Sequence, residues 1–143
     1  MFTSKTKIRV RYSETDKMGV VYHANFFSYF ESARTESLPV RQAGIRQLGF
    51  TYAEMENMGV IMPVTEVQAK FLRPARYDDL LTIKIMLKDL PRDSKIKFHH
   101  EVFNEKEELL VIGYVVLYFI NAETMNPALM PGELLSKLTP YFN

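Results

Sequence analysis

Between Leu81 and Val102 the chain twice alternates apolar with polar residues, and only a sheet covered on one face turns that period into structure. Leu81, Ile83, Ile85 and Leu87 alternate with Thr82, Lys84, Met86 and Lys88. Ile96, Phe98, His100 and Val102 alternate with Lys95, Lys97, His99 and Glu101. Leu109 to Ile120 is apolar on both faces, which predicts a central strand or one covered a second time by a partner subunit. Val60 to Arg73 is rich in β-forming residues, with Val67, Ala69 and Phe71 on one face. The connections PARYDD, DLPRDS and NEKEE are short and turn-like, so these strands pair antiparallel.

The first half differs. Lys7 to Tyr12 alternates charged and apolar residues, which predicts a first strand. From Asn25 to about Leu38, Phe26, Phe27, Tyr29, Phe30 and Ala33 share one side. At about 100° per residue they span a face of roughly 160°, wide enough for a helix pressed into a sheet. Pro39 ends or kinks that helix, or opens the next segment. Thr51 to Met58 predicts a second, short helix with Gly59 as its C-cap. The order gives an α+β class: a curved antiparallel sheet of about five strands wrapped around one long central helix. At the C-terminus, Pro127, Pro131 and Pro140 surround a short helix, Gly132 to Leu138, set over the sheet edge or over a neighbour.

A length of 143 residues predicts one domain, residues 1–143. With 47% hydrophobic and 24% charged residues, the chain reads as soluble and globular. The net charge of +1 is scattered, which argues against a nucleic-acid partner. There is no cysteine, so disulfides, thiolate metal sites and a cysteine nucleophile are excluded, and a reducing compartment fits. The opening MFTSKTKIRVRY has no apolar h-region, and Leu109 to Ile120 is about half a bilayer span. We therefore expect a cytoplasmic protein with no membrane span.

Several chemistries drop out on motif grounds. There is no G-x-S-x-G elbow, no G-x-x-x-x-G-K-[ST] loop and no G-x-G-x-x-G fingerprint. His99 and His100 are adjacent, so on a strand they face opposite ways and make no metal pair. What remains is ETDKMGVVYHANFF, residues 14–27, between the first strand and the helix. Gly19 lets the chain turn sharply three residues after Asp16. Asn25 is suited to N-cap the helix, which leaves the amides from His23 to Phe26 aimed outward at its positive end. A carboxylate and aimed N–H donors facing one volume suit acyl transfer, one as base or nucleophile and the other as oxyanion holder. The plainer reading is that Asp16, Gly19 and Asn25 only close a turn and cap a helix.

The run from Tyr12 to Phe26 resembles the signature of the 4-hydroxybenzoyl-CoA thioesterase family, in particular its small bacterial, Tol-Pal-associated branch. The likeness continues through Glu31 and Arg34, resumes from Phe71 to Leu80, and covers roughly residues 5 to 125. It implies a hotdog fold and a homodimer with active sites at the subunit interface, often doubled to a homotetramer. It also implies hydrolysis of an acyl-CoA to free acid and CoA, with no cofactor and no metal. The family's catalytic aspartate falls on Asp16 and its backbone oxyanion donor on His23. Tyr12, Gly19, Tyr22 and Asn25 fall where the loop is shaped and the helix begins. Arg92 matches a basic residue that some relatives use on the CoA phosphates. Asp93 stands where a relative has a second, and Lys95 is the nearby substitute.

Phe26, Phe27, Phe30, Tyr52, Met55 and Met58 are the residues from which an acyl pocket would be built, or else ordinary core. Asp16 acts in this scheme as nucleophile or as general base. Two rivals are a thioesterase for acyl carrier protein and a non-catalytic hotdog module that binds acyl chains or proteins. A hotdog dehydratase lacks a separate histidine-centred motif.

Overall fold

The structure, a computed structural model, describes residues 1–35 and 51–142. The elements in order are β1 (Phe2–Arg9), α1 (Asn25–Thr35), α2 (Tyr52–Asn57), β2 (Val60–Ile61), β3 (Val64–Phe71), β4 (Leu80–Leu87), β5 (Lys95–Phe103), β6 (Leu109–Tyr118), β7 (Ile120–Asn121) and α3 (Gly132–Leu138). Five strands form one antiparallel sheet in the order β1-β4-β5-β6-β3, and β2 pairs with β7 separately. With α1 packed on β4 and β1, this is the hotdog arrangement. The predicted reach of the helix to Leu38, and Pro39 beyond it, lie outside the described residues.

The alternating period is realised as expected. Leu81, Ile83, Ile85 and Leu87 on β4, and Ile96, Phe98, His100 and Val102 on β5, are all buried. Against them α1 lays Phe26, Tyr29, Phe30 and Ala33. Each large side chain taken from water here contributes about 1.5–3 kcal/mol. Thr51 caps α2, its hydroxyl accepting the Glu54 amide at 3.1 Å, and Gly59 follows at φ +80°. The C-terminal segment lies over the start of β1: the Tyr141 ring meets the Phe2 ring edge-on at 5.2 Å, and the chain's amino terminus donates to the Tyr141 carbonyl. No helix among the described residues is long and apolar enough to cross a membrane.

Three expectations are corrected. The first strand runs from Phe2 to Arg9, not from Lys7 to Tyr12, and Tyr12–Glu14 winds into a 3-10 turn. Its inward side chains include Ser4 and Thr6, both buried, so its apolar period is hidden. β6 is interior but not central: it lies between β5 and β3. The third correction concerns β3. Its face of Val67, Ala69 and Phe71 is only partly covered: Ala69 packs against the core and the Phe71 ring lies 5.7 Å from Phe26, while Val67 and Phe71 are 42% and 47% exposed.

His100 has a core role. Its ring stacks on Phe30 with centroids 4.5 Å apart, and among the described residues neither ring nitrogen has a hydrogen-bond partner. Burial, and then the charge of Arg34, hold its pKa well below the ordinary histidine value. The folded chain therefore keeps this ring neutral, while the unfolded chain protonates it below about pH 6.5. Stability from this group is present above that pH and lost as pH falls through it, by at most about 1.4 kcal/mol per pH unit. Urea unfolding of His100→Phe beside wild type is expected to show wild type losing ground between pH 7 and 5.5. A pH-independent difference would contradict this account.

Candidate active site

The segment after the 3-10 turn folds into a small hairpin. Thr15 pairs with Val21, the Asp16 amide donates to the Val20 carbonyl at 2.8 Å, and the Gly19 amide donates to the Asp16 carbonyl at 3.0 Å. Gly19 sits at φ +82° with open space around it. A side chain there is disfavoured by the left-handed backbone and not by a clash, so Gly19→Val is expected to cost about 1–2 kcal/mol in a urea melt. Asp16 is half-buried, and its Oδ1 accepts the Met18 amide at 2.8 Å and the Val20 amide at 3.4 Å. Among the described residues no donor reaches its Oδ2. The hairpin is tied to the β3–β4 connection by the Val21 amide, which donates to the Ala75 carbonyl at 2.8 Å.

The start of α1 departs from the expected cap. Asn25 is the first helical residue, and its Nδ2 donates to the Glu14 carbonyl at 2.8 Å instead of accepting a helix amide. The chain tightens into i→i−3 bonds one turn earlier. The amides of Asn25, Phe26 and Phe27 donate to the carbonyls of Tyr22, His23 and Ala24 at 2.9, 3.2 and 3.2 Å. Those three donors are spent. Among the described residues no acceptor takes up the amides of His23 and Ala24, so the outward-facing donors lie there.

Glu14 pins the arrangement together, and the sequence reading passed over it. Its Oε1 accepts the Arg11 amide at 2.8 Å and the Tyr29 hydroxyl at 3.0 Å, and its carbonyl accepts the Tyr22 amide at 2.9 Å besides Asn25. Burial, and then the Glu14 carboxylate, push the Tyr29 phenol above its ordinary range, so the hydroxyl remains a donor. Glu14 and Tyr29 are fifteen positions apart, beyond any local spacing rule.

A pocket of about 240 Å³ opens against His23, walled by Val20, Val21, Phe26, Phe71 and Ala75. Phe71 closes one side, its ring 6.0 Å from His23 and 5.7 Å from Phe26. The pocket is mostly apolar, and Asp16 is not part of its wall. Asp16 and His23 thus belong to one hairpin-to-helix segment, but in this chain alone only His23 borders the pocket.

The sequence profile of the thioesterase-like superfamily matches residues 10–138. The chain belongs to the thioesterase-like superfamily. Within it, YneP of Bacillus subtilis is 32% identical over 127 residues, covering 89% of this chain and 86% of its own length. The acyl-CoA thioester hydrolase YbgC of Escherichia coli is 28% identical over 130 residues, covering 91% of each chain. The crystal structure of a DHNA-CoA thioesterase from Staphylococcus aureus superposes with a TM-score of 0.79 at 36% identity, covering 99% of this chain and 85% of that one.

This superfamily member scatters the remaining predicted residues. Tyr12 is exposed, its ring edge-on to Tyr77 at 5.8 Å, and Tyr22 lies 4.5 Å from the His23 ring. The acyl-pocket set does not gather in one place. Phe26 borders the His23 pocket, Phe27 packs half-buried against Phe30 at 6.1 Å, and Phe30 is core. Met55 and Tyr52 line a different cavity at the other end of α1, and Met58 is exposed. Arg92 is exposed in the β4–β5 turn. Lys95 opens β5, its amide donating to Asp93 Oδ1 at 2.8 Å, and borders a depression of about 220 Å³ with Lys88 and Lys97.

Proposed function

We propose that the chain is an acyl-CoA thioesterase that cleaves its substrate to a free acid and CoA. The observation that carries this is the His23 amide, without an internal acceptor, at the start of α1 and on the wall of an apolar pocket. A thioester carbonyl seated there receives that N–H as charge builds on its oxygen, and the helix dipole adds to the stabilisation. The Oδ2 of Asp16 has no donor among the described residues, which leaves it available for attack. As a nucleophile it adds to the carbonyl carbon, the C–S bond breaks, and water then hydrolyses the mixed anhydride. As a base it takes a proton from the attacking water. The similarity to YbgC, an acyl-CoA thioester hydrolase, and to the Staphylococcus aureus DHNA-CoA thioesterase supports CoA as the carrier. Lys88, Lys95 and Lys97, with Arg92 in the preceding turn, are the cations we assign to its phosphates.

We further propose that the working unit is a homodimer paired along β3. Among the described residues that strand is a sheet edge with no strand beyond it and with exposed apolar side chains, a natural template for a second copy. Phe71 lies on both the edge and the pocket wall, and ligand pockets usually enclose about 300–1,000 Å³, more than the pocket against His23 offers in one chain. Sizing by light scattering is expected to give a dimer or its double. A fully active monomer would contradict the pairing.

Thiol release from acyl-CoA by wild type and His23→Ala tests the oxyanion assignment. Because the donor is backbone, the variant is expected to lose less than the ~10²–10³-fold that a missing donor costs. A larger loss would give the imidazole the role assigned here to the amide.

A further inference from the structure

We infer that the cavity beside the C-terminal turn of α1 is a second binding site, built for a small monocarboxylate with an apolar body. The cavity measures about 170 Å³ and is walled by Arg34, Tyr52, Met55, Ile61, Met62 and Leu117. Among the described residues it shares no lining residue with the pocket against His23. Arg34 lies nine positions beyond Asn25, about 14 Å along the helix.

The case rests on Arg34 and Tyr52. Arg34 is 4% exposed, and its Nε and Nη1 are buried without a hydrogen-bond partner among the described residues. The Tyr52 hydroxyl is buried and equally unpartnered. A guanidinium does not shed its proton in a protein, so this is a buried charge with two unspent donors, and Glu31 acts on it only from an exposed position. Interiors seldom keep such a group without a use for it. Three unspent donors belong to a cavity whose remaining wall is part apolar, from Met55, Ile61, Met62 and Leu117, and part polar, from Glu31, Thr35 and Glu56. Water fills part of such a space but brings no negative charge. A carboxylate brings the charge and accepts from both side chains.

Size and charge narrow the ligand. A cavity of about 150 Å³ holds a benzene ring, so a body of about six carbons fits here. The neighbouring His100 is buried and neutral, which leaves Arg34 the one cation among the described residues at the cavity. Glu31 and Glu56 reach the cavity from exposed positions and repel a second negative charge. Phosphates and dicarboxylates are therefore disfavoured. Acids of the accepted class are what a thioesterase releases, so the site gives the product a place to act back on the chain. That consequence rests on the proposed hydrolysis, whereas the binding itself does not.

The test is calorimetric titration of the full chain with benzoate and hexanoate, beside benzamide, hexanamide and inorganic phosphate. One acid per chain is expected to bind, with the amide weaker by about tenfold or more. Asp16→Asn is expected to bind the acid unchanged, which separates this site from the catalytic corner. Arg34→Met is expected to abolish binding with an unchanged or higher melting temperature, because it removes an unpaired buried charge. Tyr52→Phe is expected to stay folded and to weaken binding about fivefold. The proposal is overturned if neither acid binds, if Arg34→Met binds as wild type does, or if binding fails in Asp16→Asn. It is overturned too if Arg34→Met melts well below wild type, since the guanidinium would then already have a partner.

Discussion

Asp16→Asn is expected to fold like the parent chain and to lose thioester turnover by roughly 10²–10⁴-fold if the carboxylate is a general base. If it is the nucleophile, the loss approaches ~10⁶. The fold is spared because asparagine keeps an oxygen where Asp16 Oδ1 accepts the Met18 amide, so the turn at Gly19 still closes. What changes is the second oxygen, which the structure leaves without a donor among the described residues. An unchanged urea midpoint with a collapsed kcat separates chemistry from stability. Glu14 gives the contrasting case. Glu14→Gln keeps an acceptor for the Tyr29 hydroxyl and is expected to hold most activity, while Glu14→Ala loosens the turn from α1 and lowers kcat more than it raises KM. Equal activity in the two variants would remove Glu14 from any positioning role.

The second large effect is structural. Gly113→Ala is expected to destabilise the chain by about 3 kcal/mol or more. A Cβ at Gly113 lies 2.2 Å from the Gln68 carbonyl oxygen and 3.2 Å from both Ala69 Cα and a Phe30 ring carbon. Two of these three neighbours are backbone of β3, so no rotamer change relieves the contact. β3 has to move away from β6, and it carries Phe71, the wall of the His23 pocket. Loss of activity is therefore expected to accompany the fall in melting temperature. A variant that melts within a few degrees of wild type would show that β3 and β6 do not approach as described.

These two sites also show what the sequence could and could not reveal. Period-two alternation marked β4 and β5 because each buries one face completely, and the aromatic stripe marked α1 for the same reason. β1 was misplaced because Ser4 and Thr6 occupy inward positions, where pattern reading looks for apolar side chains. In the 14–27 corner, the turn made by Gly19 was legible from local chemistry. The start of α1 was not, since an asparagine before an apolar run reads as a cap, and only coordinates reveal i→i−3 bonds one turn earlier. Glu14 with Tyr29, Phe71 with His23, and Arg34 with Tyr52 on one cavity wall come together across long sequence separations, set by how the sheet and helix meet.

The most direct measurement is thiol release by the purified wild-type chain over aromatic, short and long acyl-CoAs. The chain has no cysteine, so it adds no thiol of its own to the signal. The account predicts catalytic release of CoA from at least one member of the panel, with free acid formed in equal amount and that turnover lower by about 10²-fold or more in Asp16→Asn. Wild type that releases no thiol from any member, or Asp16→Asn that matches wild type, would contradict it.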